Sequence, residues 1–492
     1  MTTIECKGDN SMTQLSETKA LLQKKARQRC HWLPTLDKSS GILYLSLVNQ
    51  LAADIANGTL KAGDTLPPQR LLADALQITL GTVTRAYREA ERRGLTEAKV
   101  GSGTRIRGQQ VDLPNFHHLS KALADSIDLS LSTPIPSALR GEQLRQILLR
   151  LSSNHAETEN AIVYQPEQGN LAHRQRLAHW MNAQGLRVDA QELLLTEGGQ
   201  HADYLALQTF VRPGEAVASA NITYPGMIAA AKQLGLKHIN VSSDAQGIRP
   251  ESLDRICQQQ KIRLLYLMAE YNNPSCEMMS EARRIDLVEV ARRHDLLILE
   301  DGVQFVPPSH RGTPFFELAP ERSLYIFSVS KILDGGLRFG ALRAPSPLMP
   351  KLSSALRAQC WGIAGLMGSV ICEWIDMGGA DQLIEWQWQE VKHRQQHLRQ
   401  LFKDYDLRSH EFGFHAWLNL PEDWRASQFV EEAKQRGVTL IGPEPFCVGS
   451  YPAPQSVRIC VTPPRDFSTF TEGVARLKHL LEQGPSMSTA LI

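Results

Sequence analysis

Three apolar segments in the second half of the chain each end in polar residues, and they follow one another at almost equal spacing. They read IRLLYLMAEYNNPS, DLLILEDGVQFV and SLYIFSVSK, and their ends carry Asn273, Asp301 and Lys331. The separations are 28 residues (273 to 301) and 30 residues (301 to 331), which fits one strand–helix–strand unit each. Continuous apolar strands separated by helices predict a mainly parallel sheet buried on both faces. Because ligands of such sheets bind at the carboxyl ends of the strands, we expect these polar residues to converge.

Changes of pattern along the 492 residues predict two folded regions of different kinds. The predicted division is a polar N-terminal arm at 1–40, a small helical unit at 41–107, a linker at 108–135, and an α/β domain at 136–486, whose large part covers about 136–360 and whose smaller α+β C-terminal subdomain covers about 361–486. A chain of this length is expected to hold two or three domains.

Composition excludes several classes of protein. The net charge is +1, so affinity for a polyanion has to come from a local patch. The eight cysteines are scattered without a CxxC pair, which indicates neither a zinc ribbon nor a disulfide framework, and we predict no metal site. No apolar run is long enough for a membrane span, and the first residues show no signal peptide. We therefore expect a cytoplasmic protein.

The unit at 41–107 has the pattern of a winged helix-turn-helix. A helix is followed by the short helix QRLLADAL, by QITLGTVTRAYREAERRG as a turn and a longer helix, and by KVGSGTRIR as two strands around a turn. The unit carries nine Lys/Arg against six Asp/Glu, a local excess that suits phosphate contacts. The predicted DNA contacts are Arg70, Thr79, Thr82, Thr84, Arg85, Arg88, Lys99, Gly101 and Arg105. A small helical docking domain with a basic face is the alternative.

This segment resembles the winged-helix domain of GntR-type bacterial regulators along its whole length, from DIANGTLKAGDTLPPQ to GSGTRI. The resemblance implies binding to a double-stranded DNA operator in the bacterial nucleoid. Leu80 is a departure, because many members carry a polar residue there that touches DNA. The operator sequence therefore does not carry over.

The residues at the strand ends also form a chemically coherent set. A lysine amine can condense with an aldehyde, a buried acid such as Asp301 needs a cationic partner, and the helix that follows Gly198-Gly199-Gln200 can offer N–H groups to a phosphate. Together with Tyr224 and Asn273, these features match an aldehyde, a basic ring nitrogen, a phenolic oxygen and a phosphate. This combination indicates pyridoxal 5'-phosphate.

The region from about 160 to 480 resembles fold-type I aminotransferases of class I/II, and SVSKILDGGLRFG resembles their lysine signature. By that resemblance Lys331 is the catalytic lysine that holds the cofactor, Asp301 pairs with the ring nitrogen, Asn273 bonds the phenolic oxygen and Tyr224 stacks on the ring. The implied phosphate contacts are Ser328, Arg338, Gly198, Gly199 and Gln200. Arg458, in SVRICVT, corresponds to the arginine that holds a substrate carboxylate. A winged helix fused to such a domain is the plan of the MocR subfamily.

Three positions depart from the aminotransferase pattern and keep four functions open. Val303 and Gln304 stand where the family usually has a tyrosine, and Asp334 adds an acid near the predicted phosphate site. We expect a DNA-binding regulator whose pyridoxal-phosphate domain senses an amino acid or amine through an external aldimine, with weak or absent transamination. The alternatives are a working aminotransferase with an accessory DNA-binding domain, a direct sensor of pyridoxal phosphate, and a regulator with an inactive cofactor site. The resemblance also implies a homodimer.

Overall fold

The computed structural model describes residues 30–36, 42–61, 63–93, 95–99, 103–106 and 126–486. The chain divides into two compact units, Met1–Val111 and Asp112–Ile492.

The first unit is a winged helix-turn-helix. Its elements are helices α1 (Leu43–Ala56), α2 (Gln69–Leu76) and α3 (Leu80–Arg92) and the antiparallel strands β1 (Thr96–Lys99) and β2 (Gly103–Ile106). Helix α3 buries Val83, Ala86, Tyr87 and Ala90, which recur at helical spacing and form one face. The opposite face of α3 is left for solvent or a ligand.

Part of the predicted N-terminal arm belongs to this core, which corrects the prediction of a loose arm at 1–40. Trp32 is 4% exposed, and its ring Nε1 donates to Asp54 Oδ2 on α1 at 2.9 Å. A buried indole contributes a large apolar surface, and its N–H is satisfied by a partner. The polar composition around Trp32 concealed this contact at the level of sequence.

The second unit alternates strands and helices before it ends in longer helices and a small sheet. Its strands are β3 (Ile127–Asp128), β4 (Leu193–Thr196), β5 (Ala216–Ala220), β6 (Lys237–Val241), β7 (Ser243–Asp244), β8 (Gly247–Ile248), β9 (Ile262–Leu267), β10 (Leu297–Asp301), β11 (Ser323–Ser328), β12 (Gly340–Arg343), β13 (Leu407–Ser409), β14 (His415–Asn419), β15 (Val438–Thr439) and β16 (Ser456–Cys460). Its helices are α4 (Ala138–Ser153), α5 (His155–Ile162), α6 (Leu171–Ala183), α7 (Gly199–Phe210), α8 (Pro225–Gln233), α9 (Pro250–Gln259), α10 (Glu281–Arg293), α11 (Phe315–Leu318), α12 (Met349–Cys360), α13 (Gly365–Asp376), α14 (Gly379–Leu401), α15 (Ala426–Gln435) and α16 (Phe467–Gln483).

A seven-stranded sheet forms the centre of this unit, in the order β4-β12-β11-β10-β9-β5-β6. Neighbouring strands are parallel except at β12, which pairs antiparallel with both β11 and β4. Strands β4, β5 and β11 are buried at every residue, which explains their continuous apolar runs. The mainly parallel sheet predicted from the sequence is confirmed, and β9, β10 and β11 lie side by side.

Two predicted boundaries are wrong. Residues Ile127 and Asp128, assigned to the linker, form β3 and pair with β15, while Leu129 is fully buried. Helix α13, assigned to the C-terminal subdomain, packs in the same apolar cluster as the large sheet. Both errors arise because burial against distant segments, rather than local pattern, decides where a domain begins.

The smaller C-terminal sheet is antiparallel, in the order β13-β14-β16. It lies over the apolar face of α16, whose buried residues recur at helical spacing. Within the described residues no single helix is long and apolar enough to cross a membrane, although the bent pair Ser346–Cys360 and Gly365–Asp376 meets that test by length and composition.

Candidate DNA surface and cofactor site

The start of α3 is fixed by its own threonines. Thr79 caps the helix, accepting from the backbone N–H of Thr82 at 3.1 Å, and the two hydroxyls lie 2.8 Å apart. Thr84 donates to Gln69 Oε1 on α2 at 2.7 Å. The predicted contacts Thr79, Thr82 and Thr84 therefore share in holding the helix-turn-helix together, while Leu80 is 42% exposed at the tip of α3.

Four predicted cationic contacts of this unit lie at its surface. Arg70, Arg85, Arg88 and Arg105 are all exposed, and the Arg85 guanidinium lies 4.5 Å from the ring centre of Tyr44. Lys99 is the last residue of β1. Gly101 lies outside the described residues. The exposed arginines leave cationic groups free to meet a polyanion.

The cofactor site begins with two acids, one predicted and one not. Asp301 ends β10, is 3% exposed, and accepts from the Tyr266 hydroxyl at 2.8 Å and from the Val303 N–H at 3.0 Å. Burial raises the pKa of Asp301, whereas these two hydrogen bonds and the charge of Lys331 lower it by less. A second acid, Asp203 on α7, is 1% exposed, and burial together with the Asp301 carboxylate raises its pKa well above the usual range.

Lys331 follows β11 in a short 3-10 turn, and its amine is half-buried. It donates to the Ser132 carbonyl and, at 3.1 Å, to the Ser132 hydroxyl. Burial lowers the pKa of Lys331 to about 8, helped by the Arg458 charge and opposed by the acids Cys460 and Asp301. A pKa this low makes the neutral, nucleophilic amine accessible near neutral pH.

Arg458 on β16 is buried and holds two partners from distant parts of the chain. Its Nη1 donates to Asn273 Oδ1 at 2.7 Å and its Nη2 donates to the Ser130 carbonyl at 2.6 Å. Its Nε has no hydrogen-bond partner among the residues that the structure describes. The structure thus brings Arg458, Asn273 and the segment 130–132 together.

The predicted phosphate contacts meet at the start of α7. Gly198 has a φ of +82°, and a Cβ there would lie 2.8 Å from Arg338 Nη2, so only glycine fits beside this guanidinium. Arg338 Nη2 donates to the Glu197 carbonyl at 2.7 Å. A Cβ on Gly199 would lie 3.6 Å from Ser328 Cβ, which places Ser328 at the same end of the helix.

Two other predicted residues, Tyr224 and Gln200, lie together beside this helix end. Gln200 donates to the Gly226 carbonyl at 3.0 Å, and the Tyr224 ring packs over Gly226. Burial raises the pKa of Tyr224, so its hydroxyl stays protonated. Gln200 is therefore engaged with backbone, whereas the backbone N–H groups at the start of α7 point out of the helix end.

These residues fit pyridoxal phosphate. The site supplies an amine with a lowered pKa, a buried carboxyl group, an aromatic ring and a glycine-lined helix start beside an arginine. Bound here, the group would be held by Lys331 at its aldehyde, by Asp301 at its ring nitrogen, and by the α7 end with Arg338 at its phosphate.

Comparison with known proteins decides the family. The profile described as "Aminotransferase class I and II" matches residues 127–477. The chain belongs to the aminotransferase class I and II family. Residues 43–106 match the gntR family of bacterial regulatory proteins, so the chain is a GntR-type transcriptional regulator, of MocR type, with an aminotransferase-like domain.

Individual relatives share the two-domain plan or the fold. The HTH-type transcriptional regulator YdeF of Bacillus subtilis is 27% identical over 92% of this chain and 97% of its own. The pyridoxine biosynthesis regulator PdxR of Corynebacterium glutamicum is 26% identical over 61% of this chain and 66% of its own. Among solved structures, the Pyrococcus horikoshii kynurenine aminotransferase has a TM-score of 0.66 at 23% identity, over 73% of this chain and 92% of that one.

The departures from the aminotransferase pattern have clear surroundings. Val303 packs against Gly199, since a Cβ there would lie 2.9 Å from Val303 Cγ2, and Gln304 is buried. Asp334 is exposed and lies 4.0 Å from Arg140. Its negative charge is therefore offset by Arg140.

Sequence reasoning missed four residues of this MocR-type site: Tyr266, Asp203, Ser130 and Ser132. Tyr266 is the one polar side chain in the apolar run LLYL, which is a usable signal. Asp203 interrupts the buried face of α7, which is otherwise apolar. The two serines gave no signal, because their partners lie about 200 or more positions away and bond mainly their backbone carbonyls.

Proposed function

We propose that this regulator binds pyridoxal phosphate at Lys331 and uses it to sense an amino acid or amine, and that the sensing changes its affinity for an operator. Pyridoxal phosphate supplies an aldehyde that condenses with primary amines. The observation that carries the proposal is that Lys331 and Arg458 both donate to the same short segment of backbone.

That segment connects the site to the rest of the chain. Ser132 accepts from Lys331 and Ser130 accepts from Arg458. Both serines lie within the first seven residues after 107–125, which join the two units in the sequence. A lysine that bonds an aldehyde loses its donor to Ser132, and a carboxylate held by Arg458 competes with the Ser130 carbonyl for the same guanidinium. The segment then changes its hydrogen-bond partners, so the protein has two states, with the segment bonded to the site or released from it. A ligand that binds these two states with different affinities shifts the protein toward one of them.

The test uses the full-length protein. Adding pyridoxal phosphate should produce a visible absorbance band that borohydride reduction fixes on Lys331, as located by peptide mass spectrometry. Lys331→Ala should lack the band, whereas Lys351→Ala, on an exposed lysine, should keep it. Because only the neutral amine attacks an aldehyde, the rate of band formation should rise with pH with a midpoint near 8. A colourless wild-type protein would refute the proposal.

Sensing is tested separately from binding. A panel of amino acids and amines is added to the loaded protein, while absorbance and the anisotropy of a DNA fragment selected from a random library are followed. We expect one compound to change both signals. No change in DNA affinity with any compound that changes the absorbance would contradict the sensing role.

A working transaminase is the second candidate. The Arg458–Asn273 pair and the low pKa of Lys331 are features that an aminotransferase needs as well. Keto acid released from an amino acid in amounts far above one per site would favour it over a sensor. We expect release to stop at or below one equivalent.

We also propose a homodimer. Ile162 and Tyr164 are 84% and 88% exposed, and the ring of Trp361, 64% exposed, is tilted against that of Tyr164 with 5.6 Å between the ring centres. Large apolar side chains exposed close together mark a contact with a partner. Ile162→Asp should shift the protein toward monomer in sedimentation, whereas Ile285→Asp, on exposed Ile285 of α10, should not. A wild-type monomer would rule the dimer out.

A further inference from the structure

Helix α7 buries an acid of the cofactor site that is not among the residues expected to hold the cofactor. Asp203 is 1% exposed and lies among Ala202, Leu205 and Ala206, which are fully buried. Its Oδ1 accepts no hydrogen bond from any residue described by the structure. A buried carboxylate with an oxygen that lacks a donor is costly, so the neutral, protonated acid is the form that this position favours.

Helix α7 packs against β9, β10 and β11 in one apolar cluster, and Asp301 at the end of β10 interacts electrostatically with Asp203. This second acid is in the opposite situation. Asp301 accepts one hydrogen bond on each oxygen, from Tyr266 and from the Val303 N–H. Donors of this kind stabilise a carboxylate anion. Of the two carboxyl groups, Asp301 is therefore the better anion and Asp203 the better holder of a proton.

Several ionisable groups surround the pair. Four of them interact electrostatically with Asp203 or Asp301: Tyr224, Tyr266, Tyr325 and Lys331. Two arginines, Arg338 and Arg458, interact with Tyr224. Burial raises the pKa of Tyr266 and of Tyr325, so both phenols stay neutral. Among these groups, Lys331 is the cation whose pKa is lowered toward neutral pH, and it bonds Ser132.

We propose that Asp203 holds a proton beside the Asp301 carboxylate and gives it up when a ring nitrogen binds at Asp301. This inference rests on the proposed function, since it concerns the same cofactor. In the step, the O–H bond of Asp203 breaks and an N–H bond forms at the ring nitrogen, which leaves two carboxylates and one pyridinium. The total charge of the group is unchanged, so the site protonates the ring without taking a proton from water.

The test measures protons taken up on binding. The probe is 4-deoxypyridoxine 5'-phosphate, which has the ring nitrogen and the phosphate but lacks the aldehyde, so Lys331 does not react. Calorimetric titrations near neutral pH in two buffers of different ionisation enthalpy give the number of protons taken up by wild type, Asp203→Asn and the surface control Asp286→Asn.

Wild type and Asp286→Asn should take up the same number of protons, and Asp203→Asn about one more per site, because its ring proton comes from water. Equal uptake in all three, with normal binding, overturns the role of Asp203 and leaves the cofactor site standing. No binding of the probe to wild type overturns the cofactor site itself. If Asp203→Asn does not fold, Asp203→Leu makes the same comparison.

Discussion

The winged helix and the aminotransferase domain place their charged groups in opposite environments. Arg70, Arg85 and Arg88 are exposed on the first, whereas Arg284 and Arg458 are buried in the second with fixed partners. An exposed cation costs little to place, and its interactions with a polyanion weaken as salt is added. A buried cation is stable only where the fold supplies its acceptors. Substitution of an exposed arginine of the winged helix should therefore cost little stability, whereas substitution of a buried arginine of the aminotransferase domain should cost much more.

The largest expected effect is at the buried ion cluster behind the site. Arg284 donates to Glu270 at 2.8 Å, lies 3.5 Å from Glu300, and is fully buried. Arg284→Ala leaves both acids without their cation and should lower the free energy of unfolding by about 3–5 kcal/mol. Arg292 lies on the same helix as Arg284 but forms an exposed pair with Glu321, so Arg292→Ala should cost at most about 1 kcal/mol.

Urea unfolding of the ligand-free protein, followed by tryptophan fluorescence, measures both variants. Similar losses for Arg284→Ala and Arg292→Ala would break the contrast between buried and exposed charges.

Burial raises the pKa of Glu300, next to Asp301, to about 8. The folded state then holds a proton that the unfolded state releases above its lower pKa, so the stability that Glu300 contributes is lost as pH rises through about 8.

A smaller effect is expected at the exposed face of the winged helix. Arg88→Ala should leave stability unchanged and weaken binding to the selected DNA about tenfold, or about 1.4 kcal/mol. The slope of log affinity against log salt should fall by about 1, as expected for one lost phosphate contact. Fluorescence anisotropy at several salt concentrations measures both quantities. Arg145→Ala, an exposed arginine of the other domain, is the matched control and should change neither.

An unchanged salt slope for Arg88→Ala would place that arginine away from the phosphates. A loss of stability would instead give Arg88 a structural role, and the contrast between the two domains would then be weaker. Both outcomes are read from the same protein preparation, because unfolding and DNA binding are measured independently.

The sequence predicted the parallel sheet and the residues at its strand ends, because both depend on local pattern. Asp301 ends its strand and Lys331 follows the next, and the neighbouring positions of the strands bring them together. Ser130 and Ser132 could not be predicted, since their partners are distant in sequence and their own contacts are largely through backbone. Asp203 could have been noticed only as a lone acid on an apolar helix face, a pattern that also fits a salt-bridged surface residue.

Trp32 has a practical consequence for dividing this chain. The gntR match begins at residue 43, and a fragment cut there would retain the three helices that the structure describes in the winged unit. Such a fragment would nevertheless lose the indole that covers α1 and would leave Asp54 without its Trp32 donor. A DNA-binding fragment meant for crystallisation or for selecting operators should therefore begin upstream of Cys30, so that Trp32 and its flanking residues are kept.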